Sequence, residues 1–368
     1  MSIDKANQYK QTLEKLLIRY DLPEKISNEN INDILPKEGA LNEIWGFSFR
    51  DLSNVDFSWI TEESFVNIGF NNYTIFPKDF KINHKKIIEE AKDPGLFIRD
   101  LHKRGIDGRG VTVAVIDGPF LETHNELAGR VVKSNYINPE HRLNNKMQYH
   151  GLVCSSFLCG NFCGVANGAN LHYYVCPIGL KMDNYSYVFK ALDMIKKYNQ
   201  KSSTEEKIKI IMLPTSFPDE VDGITEKFKM YITELEESGC YFICVNSFID
   251  AFIGASKMYI GNANDFDAYI YDVTWQPGEC EGKKILIPAG GRTCPVNSGN
   301  DDYMYLGNKG SFSWALSYIC GVFALALQVK SDLTYKDFYS SAVKTAYKNS
   351  VDLLTINPIG IIDKCQTK

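Results

Sequence analysis

Four residues of this chain, Asp117, His150, Asn246 and Ser313, have the types and order needed for acyl transfer. A site built on an activated serine needs a hydroxyl nucleophile, a base to take its proton, an acid to orient that base, and donors for the developing oxyanion. The base must come from six histidines: His84, His102, His124, His141, His150 and His172. His150 opens the stretch HGLVCSSFLCG, which puts a titratable ring at the mouth of a run of small and apolar residues. Asp117 closes VTVAVID and Asn246 closes GCYFICVN. Ser313 lies at the head of GSFSWALSYICGVFALALQ, a helical pattern apolar nearly all round. A serine there meets the positive end of the helix dipole and free backbone N–H groups. Each residue also has a plain structural reading. His150 can cap a helix or sit in the core, Asp117 can cap a turn into Gly118-Pro119, Asn246 can make an Asx turn, and Ser313 can be the N-cap of its helix. The order Asp, His, Asn, Ser in one α/β chain favours the chemical reading.

The elements that must position these residues are legible from Gly108 onward. VTVAVID is a continuous β-branched run, the pattern of a strand buried on both faces. Further runs are ANLHYYVC, IKIIMLP, GCYFICVN and KKILIPA, with helical patterns YSYVFKALDMIKKY and ITEKFKMYITELEESG between them. Strands alternating with helices imply an α/β fold, a mostly parallel sheet with helices on both faces. Sites in such sheets lie at the carboxyl ends of strands, which singles out Asp117, Pro214 to Ser216, and Asn246.

Residues 1–95 follow a different pattern. Tyr9, Leu13, Leu16, Leu17 and Tyr20 fall on one helical face, and aromatics from Trp45 to Phe76 suggest a small packed unit. Asp51-Leu52-Ser53 recurs as Asp56-Phe57-Ser58, too few copies for a solenoid. KKIIEEAKDPGLFIRDLHKRG reads as a helix, a break at Pro94-Gly95, and a second helix ending at Gly105. We expect a small, mainly helical and irregular N-terminal domain over residues 1–95, accessory or propeptide-like, packed on a second domain over 96–368.

Composition narrows the function. The chain has 368 residues, 44% hydrophobic and 23% charged, with a formal net charge of −5 and a pI near 5.8. It lacks the basic stripe of a nucleic-acid binder, and no run reaches the roughly 18 apolar residues of a membrane span. The N-terminus has no apolar core of a signal peptide, so a cytoplasmic, reducing location is expected. The 10 cysteines then read as small buried hydrophobes. Cys159/Cys163 and Cys240/Cys244 lack the second pair of ligands that structural zinc needs. NSGNDDYMY reads as a solvated loop, so no metal or cofactor is required, and calcium is left open without a supporting acidic loop.

In sequence and spacing the stretch 96–368 resembles the subtilases, the subtilisin-like serine proteases, whose triad runs Asp…His…Ser along the chain. GRGVTVAVIDGPFLETHNEL is similar to the family's aspartate motif, with the His-x-acidic-Leu tail at His124 to Leu127. HGLVCSSFLCGNFCGVANGANLHYY is similar to its histidine motif, and GSFSWALSYICG to its serine motif. CYFICVN matches the strand before the oxyanion asparagine, TSFP the substrate strand, and PIGIIDKC the closing helix. FNNYTIFP and DPGLFIRDLHKRGIDGRGV resemble the N-terminal region of a set of bacterial subtilases.

The resemblance implies a subtilisin-like fold and a serine endopeptidase acting on a protein or peptide through an acyl-enzyme. Ser313 would be the nucleophile, His150 the general base and acid, and Asp117 its orienting partner. Asn246 would share the oxyanion hole with the Ser313 N–H, and Ser216, Phe217 and Pro218 would bind substrate. His124 is expected to be structural. The pattern departs from the family around these residues. Gly118 replaces a small hydroxyl residue, Leu152 and Val153 replace threonine and a second histidine, and Ser311, Phe312 and Trp314 replace glycine, threonine and methionine. Leu316, Ser317 and Tyr318 replace Thr-Pro-His, and Pro218 has no N–H to give a substrate backbone. The four chemical residues persist, which argues for an active enzyme of narrow specificity. The alternatives are a catalytically silent binding or regulatory protein, and a tailoring peptidase or ligase.

Overall fold

The computed structural model describes residues 24–31, 46–137, 149–176, 185–216, 224–249, 251–259, 261–271, 284–308 and 310–367. The amphipathic pattern from Tyr9 to Tyr20 lies outside them. The elements that bear on the site are, in chain order, β1 (Phe70–Asn71), β2 (Thr112–Asp117), β3 (Val131–Tyr136), α1 (Tyr149–Cys159) and β4 (Asn170–Val175). Next come α2 (Tyr185–Lys201), β5 (Ile208–Leu213), α3 (Ile224–Glu237), β6 (Tyr241–Cys244), α4 (Val245–Ile249), β7 (Phe252–Lys257) and β8 (Tyr269–Tyr271). Last are β9 (Ile285–Pro288), β10 (Thr293–Pro295), β11 (Tyr303–Tyr305), α5 (Phe312–Val329), β12 (Tyr347–Lys348), β13 (Leu354–Thr355) and α6 (Pro358–Gln366).

Five strands form a parallel sheet in the order β3-β4-β2-β5-β6. All six residues of the central strand β2 are buried, as its β-branched run requires. Val113 and Val115 join the core cluster that holds α1 and α5, while Ala114 and Ile116 join the one that holds α2 and α3. The period-two alternation of a strand therefore divides the helices between the two faces. The chain winds from β2 out to β3 and back through β4, then crosses to β5 on the other side. The carboxyl ends of β2 and β5 flank this switch point, where ligands bind in open α/β sheets.

A second sheet, β8-β7-β9-β13-β12, carries β9 parallel to both β7 and β13. The strand β7 (FIGASK) was not read from the sequence. A third sheet, β10-β11-β1, is antiparallel and takes one strand from the first 95 residues. Phe65 and Phe70 share a core cluster with Tyr305, whose hydroxyl donates to the Val66 carbonyl at 3.1 Å. The repeated Asp-x-Ser units are two Asx turns, with Ser53 and Ser58 N–H donating to Asp51 and Asp56 at 3.0 and 2.8 Å. Helix α5 has the length and mean hydropathy (18 residues, 1.7) of a membrane span, yet 83% of it is buried inside the protein, as befits a core helix.

Candidate active site

Asp117 ends β2 and uses both carboxylate oxygens. Oδ1 accepts the Gly118 N–H at 2.6 Å, and Oδ2 meets His150 Nδ1 at 2.8 Å. Asp117 therefore caps the turn into Gly118 and at the same time pairs with His150. His150 is the second residue of α1. Every other residue of α1 is buried, while the His150 side chain is 26% exposed. The helix thus holds the ring at the rim of the protein. Burial lowers the pKa of the imidazole and the Asp117 carboxylate raises it; the carboxylate wins, holding the ring well above its ordinary 6.5.

Gly151 follows because a side chain has no room there. The Tyr173 hydroxyl passes beneath the helix to donate to the Gly118 carbonyl at 2.6 Å. A Cβ on Gly151 would lie 1.9 Å from that hydroxyl. Tyr173 therefore braces the turn that follows Asp117.

Cys154, one helical turn beyond His150, places its sulfur 3.8 Å from Nε2 and 4.0 Å from Nδ1. The sulfur is thus nearly equidistant from the two ring nitrogens. Asp117, His150 and Cys154 bring potential metal-ligand atoms within 4.8 Å of one another. The carboxylate and Nδ1 are already bonded, however, and burial pushes the thiol pKa up, which disfavours the thiolate a metal would need. Nine of the cysteines are described; all nine are free and eight are buried.

Ser313 is the second residue of α5, and Ser311 is the N-cap. This corrects the capping alternative for Ser313. The Ser311 hydroxyl oxygen accepts the Ser313 N–H at 3.2 Å, the donor expected to face the oxyanion. The Ser313 hydroxyl donates to the Pro214 carbonyl at 2.7 Å, just past the end of β5. A hydroxyl has one proton, so in this state the expected bond to His150 is not made. Ser317, one turn on, donates to the Ser313 carbonyl at 2.7 Å and also interacts with Cys154, which ties the head of α5 to the His150 helix.

Asn246 does not close a strand as expected. β6 ends at Cys244, and Asn246 is the second residue of α4, partly exposed. The preceding Val245 N–H donates to the Thr215 carbonyl at 3.2 Å, which holds Asn246 near the Pro214–Thr215 end of β5. Ser216 is exposed immediately beyond; Phe217 and Pro218 lie outside the described residues. His124 is buried with both nitrogens engaged, Nε2 to the Asp302 carbonyl at 3.1 Å and Nδ1 to the Glu126 N–H at 3.1 Å.

The sequence reading missed Cys154, Tyr173 and the role of Ser311. Cys154 was accessible from its i+4 spacing to His150, and Ser311 from the preference for serine just before an apolar helix. Tyr173 had no local signal, because it acts across two strands.

A parallel sheet of this winding, with an Asp–His pair at the end of its central strand and a serine heading the buried helix, defines a subtilisin-like α/β fold. The chain has that fold. It is similar to the prenylagaramide maturation protease PagA (15% identity, 73% of this chain and 98% of that one, TM-score 0.51). It is similar also to the A subunit of the AB5 toxin from E. coli (10% identity, 74% and 98%, TM-score 0.53) and to the PatG macrocyclase domain (13% identity, 74% and 95%, TM-score 0.50). No protein-family model and no curated protein matches the sequence.

Proposed function

We propose that the protein is a serine endopeptidase of narrow specificity acting through an acyl-enzyme on Ser313. The observation that carries this reading is the 2.8 Å pair of His150 Nδ1 and Asp117 Oδ2 at the carboxyl end of the central strand. The pair fixes the ring so that Nε2 can serve as the base, beside the helix whose second residue is Ser313. Ser313 Oγ attacks the peptide carbonyl as its proton passes to His150. The side-chain amide of Asn246 and the Ser313 N–H steady the oxyanion. His150 then gives the proton to the leaving amine, and water, deprotonated by His150, hydrolyses the ester.

A fluorophosphonate probe tests this directly. Labelling at Ser313 that is lost in Ser313→Ala and in His150→Ala is the expected result, and cleavage-site profiling of wild type beside Ser313→Ala then gives the substrate. A folded wild type that does not label sinks the reading and leaves the silent binding or regulatory protein. A second outcome of the chemistry is supported by the fold neighbours, one titled a maturation protease and another a macrocyclase domain. An amine in place of water would resolve the same ester into a new peptide bond, and a cyclic or ligated product in the profiling experiment would identify it.

A further inference from the structure

Two hydrogen bonds at the candidate site hold it short of readiness. Ser313 N–H is taken by the Ser311 oxygen at 3.2 Å, and the Ser313 hydroxyl by the Pro214 carbonyl at 2.7 Å. An N–H shared between two acceptors binds each more weakly, so an oxyanion gains the full strength of this donor only when the Ser311 oxygen leaves it. Ser311 has extended backbone angles, φ −149° and ψ 147°, the ordinary N-cap conformation. Its hydroxyl can therefore rotate away about χ1 without moving the chain. Residue type alone creates this bond, since a glycine at position 311 has no oxygen to place there.

We propose that Ser311 is a gate on acylation: its hydroxyl oxygen closes the oxyanion donor in the resting protein and must swing off before Ser313 can react. This rests on the serine-peptidase reading and concerns regulation of the same site. Ser311 touches no substrate atom; it acts through the Ser313 N–H and is a positioning residue. The gate favours acyl donors anchored well enough elsewhere to displace a hydrogen bond, and disfavours small, weakly held esters.

The test is the second-order rate of fluorophosphonate labelling of the full chain. The Oγ–P bond forms, the P–F bond breaks, fluoride leaves and His150 takes the proton, while the phosphonyl oxygen occupies the oxyanion's place. Ser311→Ala and Ser311→Gly should label about two- to tenfold faster than wild type, the worth of one neutral hydrogen bond. The pH midpoint should not move, because His150 sets it. Ser311→Thr, which restores the acceptor, should lose the gain. Glycine is nearly as good an N-cap as serine, so Ser311→Gly keeps the helix start intact, and its melting temperature checks this. Equal or slower labelling of Ser311→Gly overturns the gate, as does a Ser311→Thr protein that labels as fast as Ser311→Gly. If neither wild type nor any Ser311 variant labels while all melt cooperatively, the peptidase reading fails and the gate falls with it.

Discussion

Gly151→Ala sets two effects of opposite sign against each other. Helix propensity alone favours alanine over glycine in α1 by about 1 kcal/mol. Packing says otherwise. The new Cβ would sit 1.9 Å from the Tyr173 hydroxyl and 3.1 Å from the Gly118 carbonyl oxygen, while real Cβ contacts essentially never fall under 3.0 Å. The phenol must retreat by at least about 1 Å, and its 2.6 Å bond to Gly118 does not survive a move of that size. Overpacking costs about 1–3 kcal/mol, and a buried hydrogen bond broken on one side about 1–3 kcal/mol more. Net of propensity, Gly151→Ala should destabilise the protein by roughly 1–5 kcal/mol, measured by urea denaturation. Tyr173→Phe removes the hydroxyl that collides. In that background Gly151→Ala should cost at least about 1 kcal/mol less, with the Gly118 carbonyl keeping the rescue partial. Equal cost in both backgrounds refutes the argument, as does a Gly151→Ala protein more stable than wild type.

The remaining predictions concern the chemistry. Activity should rise with pH as His150 loses its proton, with the kcat/KM midpoint above 6.5 because Asp117 raises the ring's pKa. Asp117→Asn should bring that midpoint down and cut the rate by about 10⁴-fold; a midpoint unmoved by the substitution contradicts the pairing. The linked stability has a defined sign. A raised histidine pKa stabilises the fold fully below the unfolded value near 6.5 and loses that contribution as pH climbs through the folded value. The melting-temperature gap between wild type and Asp117→Asn should therefore be widest in mild acid and narrow above the midpoint. Asn246→Ala should lower kcat by about 100- to 1,000-fold with KM little changed, and wild-type turnover would remove Asn246 from the oxyanion hole.

The strands that were legible are buried on both faces, and such strands must be apolar throughout; the edge strand β3 (VVKSNY) is largely unburied and offers no such run. VTVAVID, ANLHYYVC, IKIIMLP and KKILIPA each became a strand for that reason. FIGASK was missed because two of its residues are polar and buried, Ser256 and Lys257, so tertiary context overrides its pattern. The Asp117–His150 contact was legible from residue order, since each residue sits at the working end of its own element. Asn246 fell one element later than expected, because a strand's last apolar residues and a helix's first ones look alike along the chain. The hydroxyl of Ser313 was the hardest to foresee. Its partner is a backbone carbonyl, and no side-chain pattern reports where a carbonyl points.

The departures around Asp117, His150 and Ser313 have a packing logic of their own. Apart from His150, helix α1 is buried, packed against the sheet on one side and α5 on the other, so Leu152 and Val153 are wholly core residues. Trp314 and Tyr318 line the opposite wall. Between the helices lies Arg292, also buried, its guanidinium 3.8 Å above the Phe157 ring and 5.8 Å from that of Tyr318. Phe157 in turn meets Trp314 edge-on at 6.4 Å. Arg292 also donates to the Cys163 carbonyl at 2.6 Å. Aromatic faces suit a weakly hydrated guanidinium buried in this way. The bulk at 314 and 318 thus belongs to a clamp that fixes α1 against α5. That clamp sets where His150 and Ser313 stand, while a separate polar path from Tyr173 to Gly118 to Asp117 sets how the ring is turned. Position and orientation are held by different residues, so the apolar wall can diverge while the Asp117–His150 geometry persists.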